Sequence, residues 1–92
     1  MPAIKVQITR IADGDQPGFV ESQFVDARNR IQSLIEKLPI VTSAEGVIEC
    51  EVLGRSADEV GEIVTVDTER PWGVESTAGS SRFEVRPSIL IE

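Results

Sequence analysis

The sequence predicts a mainly β protein, a small single-domain antiparallel barrel or sandwich of five to seven strands over residues 1–92. Several short runs alternate apolar and polar side chains, which is typical of strands with one buried face. These runs recur at roughly 10-residue spacing, and turn-forming residues separate them. A chain of 92 residues forms one domain with a modest core. We find no internal repeat, linker or low-complexity tract.

The centre of the chain contains the two clearest strands. Residues 47–53 alternate, with Cys50 on the apolar face and glutamates on the other. Residues 62–68 are rich in β-branched side chains, which suit a pleated and half-buried surface. The two runs are predicted to pair as a hairpin with residues 54–61 as its loop. The alternative is a short helical turn over residues 56–60.

Two strands are predicted before this hairpin. In residues 4–11 the isoleucine and valine side chains alternate with polar ones, which indicates a strand with one solvent-facing side. Residues 12–18 contain two aspartates, two glycines and a proline, so they form a loop. Residues 19–26 mix apolar and polar side chains and are predicted to form a strand with both faces partly covered.

The segment after this strand fits two structures. A helix over residues 29–38 would place on one face four apolar residues at i, i+3, i+4 and i+7, namely Ile31, Leu34, Ile35 and Leu38. The rival is a turn over residues 26–30, with Asn29 in the left-handed region, followed by a strand over 31–38 that pairs back on 19–26. The pattern alone slightly favours the helix, which would make the fold α+β.

A resemblance changes that preference. Six segments are similar to a family of short bacterial proteins of unknown activity, and they span most of the chain: PGFVES (17–22), VDARNR (25–30), IEKLPIVT (35–42), ECEV (49–52), VTVDTERPWGVEST (64–77) and FEVRP (83–87). In that family the position of Asn29 is commonly glycine, within an Asp-x-x-Gly turn. Glycine suits a hairpin, and asparagine is the next most tolerant residue at positive φ. The resemblance therefore favours the hairpin and implies no activity.

The C-terminal part of the chain is predicted to contain two turns and a strand. Residues 71–73 (Pro-Trp-Gly) and 76–80 carry turn signals. Residues 82–86 alternate, and the phenylalanine and valine there are expected to face inward. Pro87 cannot donate to a strand ladder, so it ends this strand or lies at an edge. Residues 89–91 form a short final strand or a helical turn.

The residue types that are absent exclude several chemistries. The chain has no histidine, so Ser–His and Cys–His nucleophilic pairs and imidazole zinc sites are excluded. Its single cysteine cannot form an internal disulfide and is predicted to be a buried, inert thiol. No apolar run resembles a secretory signal or a membrane-spanning helix. We therefore expect a cytoplasmic protein without membrane binding.

Carboxylates are the remaining candidates for catalysis or metal binding. Asp13 and Asp15 flank a glycine and would supply weak oxygen ligands for a metal, but this triplet is typical of a turn. Glu49 and Glu51 would lie about 7 Å apart on the exposed face of one strand. A solvated strand face explains both glutamates. We predict no catalytic residue, no metal site and no cofactor.

The charge of the chain indicates the type of partner. Sixteen acidic and nine basic residues give a net charge of −7. Such a surface repels phosphate backbones, so nucleic-acid binding is not expected. It favours a basic protein partner, as in an inhibitor or immunity-type module. The alternatives are a small carboxylate- or metal-dependent enzyme and a structural homo-oligomer.

Trp72 is the main candidate for a binding residue, with Arg70 and Glu75 close to it in sequence. One interpretation has Trp72 plugging an open end of the barrel, because a small core with three phenylalanines and no tyrosine needs the area. The other has Trp72 partly exposed beside Arg70 as a recognition patch, since both residue types are enriched at binding hot spots. The composition favours the plug.

Overall fold

The computed structural model describes residues 2–11, 19–37 and 46–92, and the fold is mainly β, as the sequence predicts. This part of the chain contains no α-helix, and a 3₁₀ turn over Pro87–Ile89 precedes the last strand. All strand pairs are antiparallel. The described strands are β1 (Ala3–Lys5), β2 (Gln7–Ile11), β3 (Phe19–Val25), β4 (Ile31–Lys37), β5 (Val47–Glu49), β6 (Glu51–Ala57), β7 (Glu62–Asp67), β8 (Arg82–Val85) and β9 (Leu90–Ile91).

The strands form three small sheets. Their orders are β5-β1-β9, β2-β3-β4 and β6-β7-β8. Within the described residues these sheets do not close into one barrel. The predicted loop over residues 12–18 lies outside the described residues.

Two single-residue breaks explain why the structure has more strands than the five to seven expected. Only Val6 separates β1 from β2, and only Cys50 separates β5 from β6. At the first break the Val6 N–H donates to the Gly46 carbonyl at 2.6 Å, and at the second the Cys50 N–H donates to the Pro2 carbonyl at 2.8 Å. Each predicted strand therefore continues through its break but leaves one sheet and enters another.

The β3–β4 hairpin confirms the strand interpretation for residues 31–37, and the helix predicted over 29–38 is wrong. The last residue of the predicted strand, 38, lies outside the described residues. Asn29 has a φ of +62°, and β4 pairs with β3 along its whole length. The helical spacing predicted the wrong structure because the described apolar residues that produce it do not share a buried face. Leu34 is fully buried, whereas Ile31 is 66% exposed and Ile35 lies on the outer side with it.

The β6–β7 hairpin is also confirmed, but its connection is shorter than predicted. Strand β6 continues to Ala57, so the turn is confined to residues 58–61. The Asp58 N–H donates to the Gly61 carbonyl at 2.9 Å, and the Asp58 carboxylate accepts from the Val60 N–H at 3.0 Å. These contacts close a tight turn, and the alternative helical turn over 56–60 does not form.

One hydrophobic core joins the three sheets. Its members are the buried residues Ile4, Val6, Val20, Phe24, Leu34, Ile48, Cys50, Val64, Val66, Val74, Phe83 and Val85. The Phe24 and Phe83 rings pack edge to face with centroids 5.1 Å apart, which joins the second and third sheets. Cys50 is fully buried, as predicted, and burial raises the pKa of its thiol to about 11. The thiol therefore stays protonated and unreactive at neutral pH.

The last predicted strand and its flanking turns are present. Phe83 and Val85 of β8 face inward, as expected. Pro87 begins the 3₁₀ turn, so the strand ends before it. The final residues adopt both predicted alternatives in succession, a helical turn and then the short strand β9. The outer face of β3 is partly covered, as expected: Glu21 and Gln23 are half-buried, whereas Val25 is 52% exposed.

Substitution of Gly46 by alanine should destabilise the protein by about 2–4 kcal/mol, measured by chemical denaturation. Gly46 has a φ of +60°, and a Cβ atom there would lie 2.4 Å from the Val6 carbonyl oxygen. Gly79→Ala is the matched control, because its φ of +83° imposes similar strain while no atom lies within 4 Å of the added Cβ. Equal costs for the two variants would contradict a steric role for Gly46.

Candidate functional site

A loop over residues 68–76, which we call the Trp72 loop, follows strand β7 and is closed at its base. Thr68 is fully buried, and its N–H donates to the Ser81 carbonyl at 2.8 Å. Its hydroxyl lies 2.8 Å from the Val74 carbonyl, and the Val74 N–H donates back to the Thr68 carbonyl at 3.0 Å. Val74 is itself a core residue. Buried contacts therefore fix both sides of the loop.

The tip of the Trp72 loop is a compact turn. The Gly73 N–H donates to the Glu69 carbonyl at 2.6 Å, and the Glu69 N–H donates to the Asp67 carboxylate at 2.8 Å. The Arg70–Pro71 peptide bond is cis, and Gly73 has a φ of +68°. The backbone of the tip is thus defined by local bonds and by residues with few accessible conformations.

Trp72 does not plug the core, so the favoured sequence interpretation of this residue is wrong. Its side chain is 52% exposed, whereas Val74 is fully buried. The loop contributes Val74 to the core, and its tip directs Trp72 toward solvent. The small core obtains its aromatic area from Phe24 and Phe83 instead.

The three predicted binding residues lie on this one loop. Arg70, Trp72 and Glu75 are all exposed. Arg70 forms no ion pair with any residue that the structure describes. The loop therefore presents an aromatic side chain together with an unpaired cation.

Strand β4 supports the far side of the Trp72 loop, and sequence reasoning missed this contact. Ser76 forms a bridge with Leu34, and the Thr77 N–H donates to the Ser33 carbonyl at 2.8 Å. The Glu36 carboxylate accepts the Glu75 N–H. Burial raises the pKa of Glu36, and the nearby Glu75 charge also raises it, although the accepted hydrogen bond opposes both. No sequence signal connects these segments, which are about 40 residues apart.

A buried carboxylate organises the opposite end of the β3–β4 hairpin. The Asp26 carboxylate accepts hydrogen bonds from the Arg28 N–H, the Arg30 N–H, the Arg30 Nε and the Gln32 amide, all at 2.9–3.0 Å. Burial alone would raise the pKa of Asp26, but the hydrogen bonds outweigh burial and lower it. We call this group the Asp26 cluster.

The Asp26 cluster is joined directly to strand β8. The Ala27 N–H donates to the Glu84 carbonyl at 2.8 Å, and Arg86 donates to the Ala27 carbonyl at 3.0 Å. Arg28 also pairs with the Glu84 carboxylate at 3.0 Å. The hairpin turn is therefore held between its own side chains and the third sheet.

A polar groove of about 330 Å³ lies between the Asp26 cluster and strands β7 and β8. Arg30 and Arg82 both line it, and their side chains are largely exposed. Arg30 pairs with Asp26 at 3.0 Å, and Arg82 lies 3.6 Å from Asp67. Each cation thus has a carboxylate partner, so the groove offers no uncompensated charge to an ion.

Among the described residues, the carboxylates considered for catalysis or metal binding do not form a site. Glu49 is half-buried in β5 and Glu51 is exposed in β6, with the strand break between them. The described residues contain no group of three or more acidic or cysteine side chains able to hold a metal. Asp13 and Asp15 lie outside the described residues.

None of the described helical segments is long and apolar enough to cross a membrane.

Comparison of the chain with protein-family models, with curated proteins and with solved structures gives no match.

Replacement of Asp26 by asparagine should cost about 2–3 kcal/mol, because an amide nitrogen would face the donors of Arg30 and Gln32. The pKa of Asp26 is lowered from 3.8 in the folded state, so its stabilisation is present above that value. It is lost as the pH falls through the lower folded pKa. Chemical denaturation at pH values from neutral to strongly acidic should show that acid lowers the free energy of unfolding less for Asp26→Asn than for the wild type.

The exposed Glu59→Gln change is the matched control for Asp26→Asn, because it also removes one carboxylate. It should leave both the stability and its pH dependence near those of the wild type. Similar costs for the two substitutions would show that the Asp26 hydrogen bonds do not stabilise the hairpin turn.

Replacement of Glu36 by glutamine should raise the free energy of unfolding at neutral pH. Glu36 has a raised pKa in the folded state, so its ionised form is disfavoured by folding above its ordinary pKa of 4.5. Glutamine removes this penalty and can still accept the Glu75 N–H through its amide oxygen. Thermal melts should show the gain at pH 7 and its disappearance below pH 4.5, where glutamate is protonated in both states. A gain independent of pH would contradict the electrostatic explanation.

Proposed function

We propose that the protein is a non-catalytic protein-binding module that contacts its partner through the exposed tip of the Trp72 loop. The observation that carries this proposal is the exposure of Trp72, at 52%, on a loop whose base is fixed by buried contacts. Tryptophan and arginine are enriched among residues that dominate binding energies. A side chain on a fixed backbone also loses less conformational entropy on binding than one on a mobile segment.

The charge of the protein supports a basic partner. The net charge is −7, and Glu69 and Glu75 are exposed on either side of Trp72. Complementary charge accelerates association and makes it sensitive to salt, as expected for an inhibitor or immunity-type protein that covers a basic site. Such a partner would bury Trp72 and surround it with contacts to the flanking glutamates.

The alternatives have less support. A carboxylate- or metal-dependent enzyme would need convergent acidic side chains, and the described residues offer no such group. A structural homo-oligomer would use a sheet edge or an exposed apolar surface. The enzyme alternative does not explain why the loop displays Trp72 while burying Thr68 and Val74.

We also propose that the three sheets form one open barrel or sandwich around the shared core. Two backbone contacts between sheets support this arrangement. The Ala27 N–H donates to β8, and the Thr77 N–H donates to β4. The Trp72 loop would then lie where the third sheet approaches the edge of the second.

Replacement of Trp72 by alanine should destroy partner binding and leave the fold intact. Partners captured from a lysate of the source organism are produced in pure form, and their affinities are measured for the wild type and each variant. We expect Trp72→Ala to weaken binding by about 30-fold or more. The cost in stability should be roughly 1 kcal/mol, well below the 3–5 kcal/mol for a buried tryptophan.

Val60→Ala is the matched control. Val60 is 81% exposed in the turn over residues 58–61, so its replacement should not affect the affinity for the partner. Salt should slow association of the wild type. Tryptophan emission should be red and readily quenched in the free protein and should shift to the blue in the complex. A partner that binds the Trp72→Ala variant as tightly as the wild type would overturn the proposal.

A further inference from the structure

A second groove, of about 400 Å³, lies at the end of the β2-β3-β4 sheet, and no residue of the Trp72 loop lines it. Its described lining combines five apolar and three polar side chains. The lining residues are Lys5, Val6, Gln7, Gln23, Phe24, Val25, Ile31 and Ile89. Ligand sites are typically concave, largely apolar and supplied with a few polar groups, and they occupy roughly 300–1,000 Å³.

The apolar lining of this groove includes two side chains that the fold leaves exposed. Val25 and Ile31 are cross-strand partners in the β3–β4 hairpin, and they are 52% and 66% exposed. Phe24 and Val6 are buried core residues, and Ile89 of the 3₁₀ turn is half-buried. An aliphatic chain in the groove would remove Val25 and Ile31 from water, which is favourable in proportion to the area buried.

Among the described residues, the polar lining of the groove carries one cation and no acidic residue. Lys5 is exposed, and no described carboxylate pairs with it. Gln7 and Gln23 are cross-strand partners, so their amides lie beside each other at the same edge. In a protein with sixteen acidic residues, an apolar groove whose described lining has a lysine and no carboxylate favours an anionic ligand.

We propose that this groove binds an aliphatic carboxylate. The hydrocarbon chain lies against Val25, Ile31 and Ile89, and the carboxylate accepts a hydrogen bond from the Lys5 ammonium. The site is separate from the Trp72 loop and does not depend on the function proposed for that loop. A ligand with a cationic head group would meet the Lys5 ammonium and no carboxylate among the described lining residues.

The proposal is tested with octanoate and octyltrimethylammonium, each used below its micelle concentration, and with methyl-labelled protein. Octanoate should cause saturable NMR chemical-shift changes in the methyl groups of Val25, Ile31 and Ile89. It should also bind more tightly than the cationic probe. Lys5→Gln should weaken octanoate binding by about threefold to tenfold and leave the cationic probe unaffected or stronger. Ile31→Thr keeps a β-branched side chain and should weaken both probes.

Two matched controls make the result specific. Arg82→Gln changes the net charge by the same amount as Lys5→Gln but lies in the polar groove, so it should not affect octanoate. Val60→Thr matches Ile31→Thr at an exposed apolar residue elsewhere, and it should not affect either probe. Equal affinity for the two probes, equal effects of Lys5→Gln and Arg82→Gln, or the absence of saturable shifts would overturn the proposal. A dimer in light scattering that Ile31→Thr dissociates would assign the groove to a second copy instead, and would also overturn it.

Discussion

The structure depends most on the carboxylate of Asp26. This one group accepts hydrogen bonds from two backbone N–H groups and two side chains of the β3–β4 turn. It fixes Asn29 in its left-handed conformation by closing the turn around it. A buried charge is tolerated only where its hydrogen bonds replace those of water, and here they do so completely enough to lower its pKa. Because the same turn bonds to β8, the carboxylate also positions the second sheet against the third.

The two strand breaks allow a short chain to build three sheets around one core. At Val6 and at Cys50 an extended segment changes its pairing partner without a loop, so the connections between sheets need few residues. Each break leaves a backbone N–H that finds a carbonyl outside the regular ladder, at Gly46 and Pro2. Val6 and Cys50 are buried themselves, and both belong to the core cluster. The positions where pairing changes are therefore buried positions of the core.

The sequence predicts those features that depend on neighbours along the chain. Alternation identifies most of the strands. The turn at Asn29 is predicted only with the family resemblance, because the residue pattern alone slightly favours a helix there. Features that depend on distant contacts were missed. The exposure of Trp72 follows from the burial of Thr68 and Val74, and the support from β4 joins segments with no local signal. The helical spacing of Ile31 and Leu34 shows that periodicity does not reveal which side faces the core.

The contact between residues 76–77 and β4 has a consequence beyond the support of a loop. Strand β4 is the last in its sheet, and a bare strand edge is a template on which another chain can add. The bridge to Ser76 and the bond from Thr77 occupy backbone groups in the middle of that edge. The segment that follows Trp72 thus leaves fewer free backbone groups on β4 for edge-to-edge pairing with another chain.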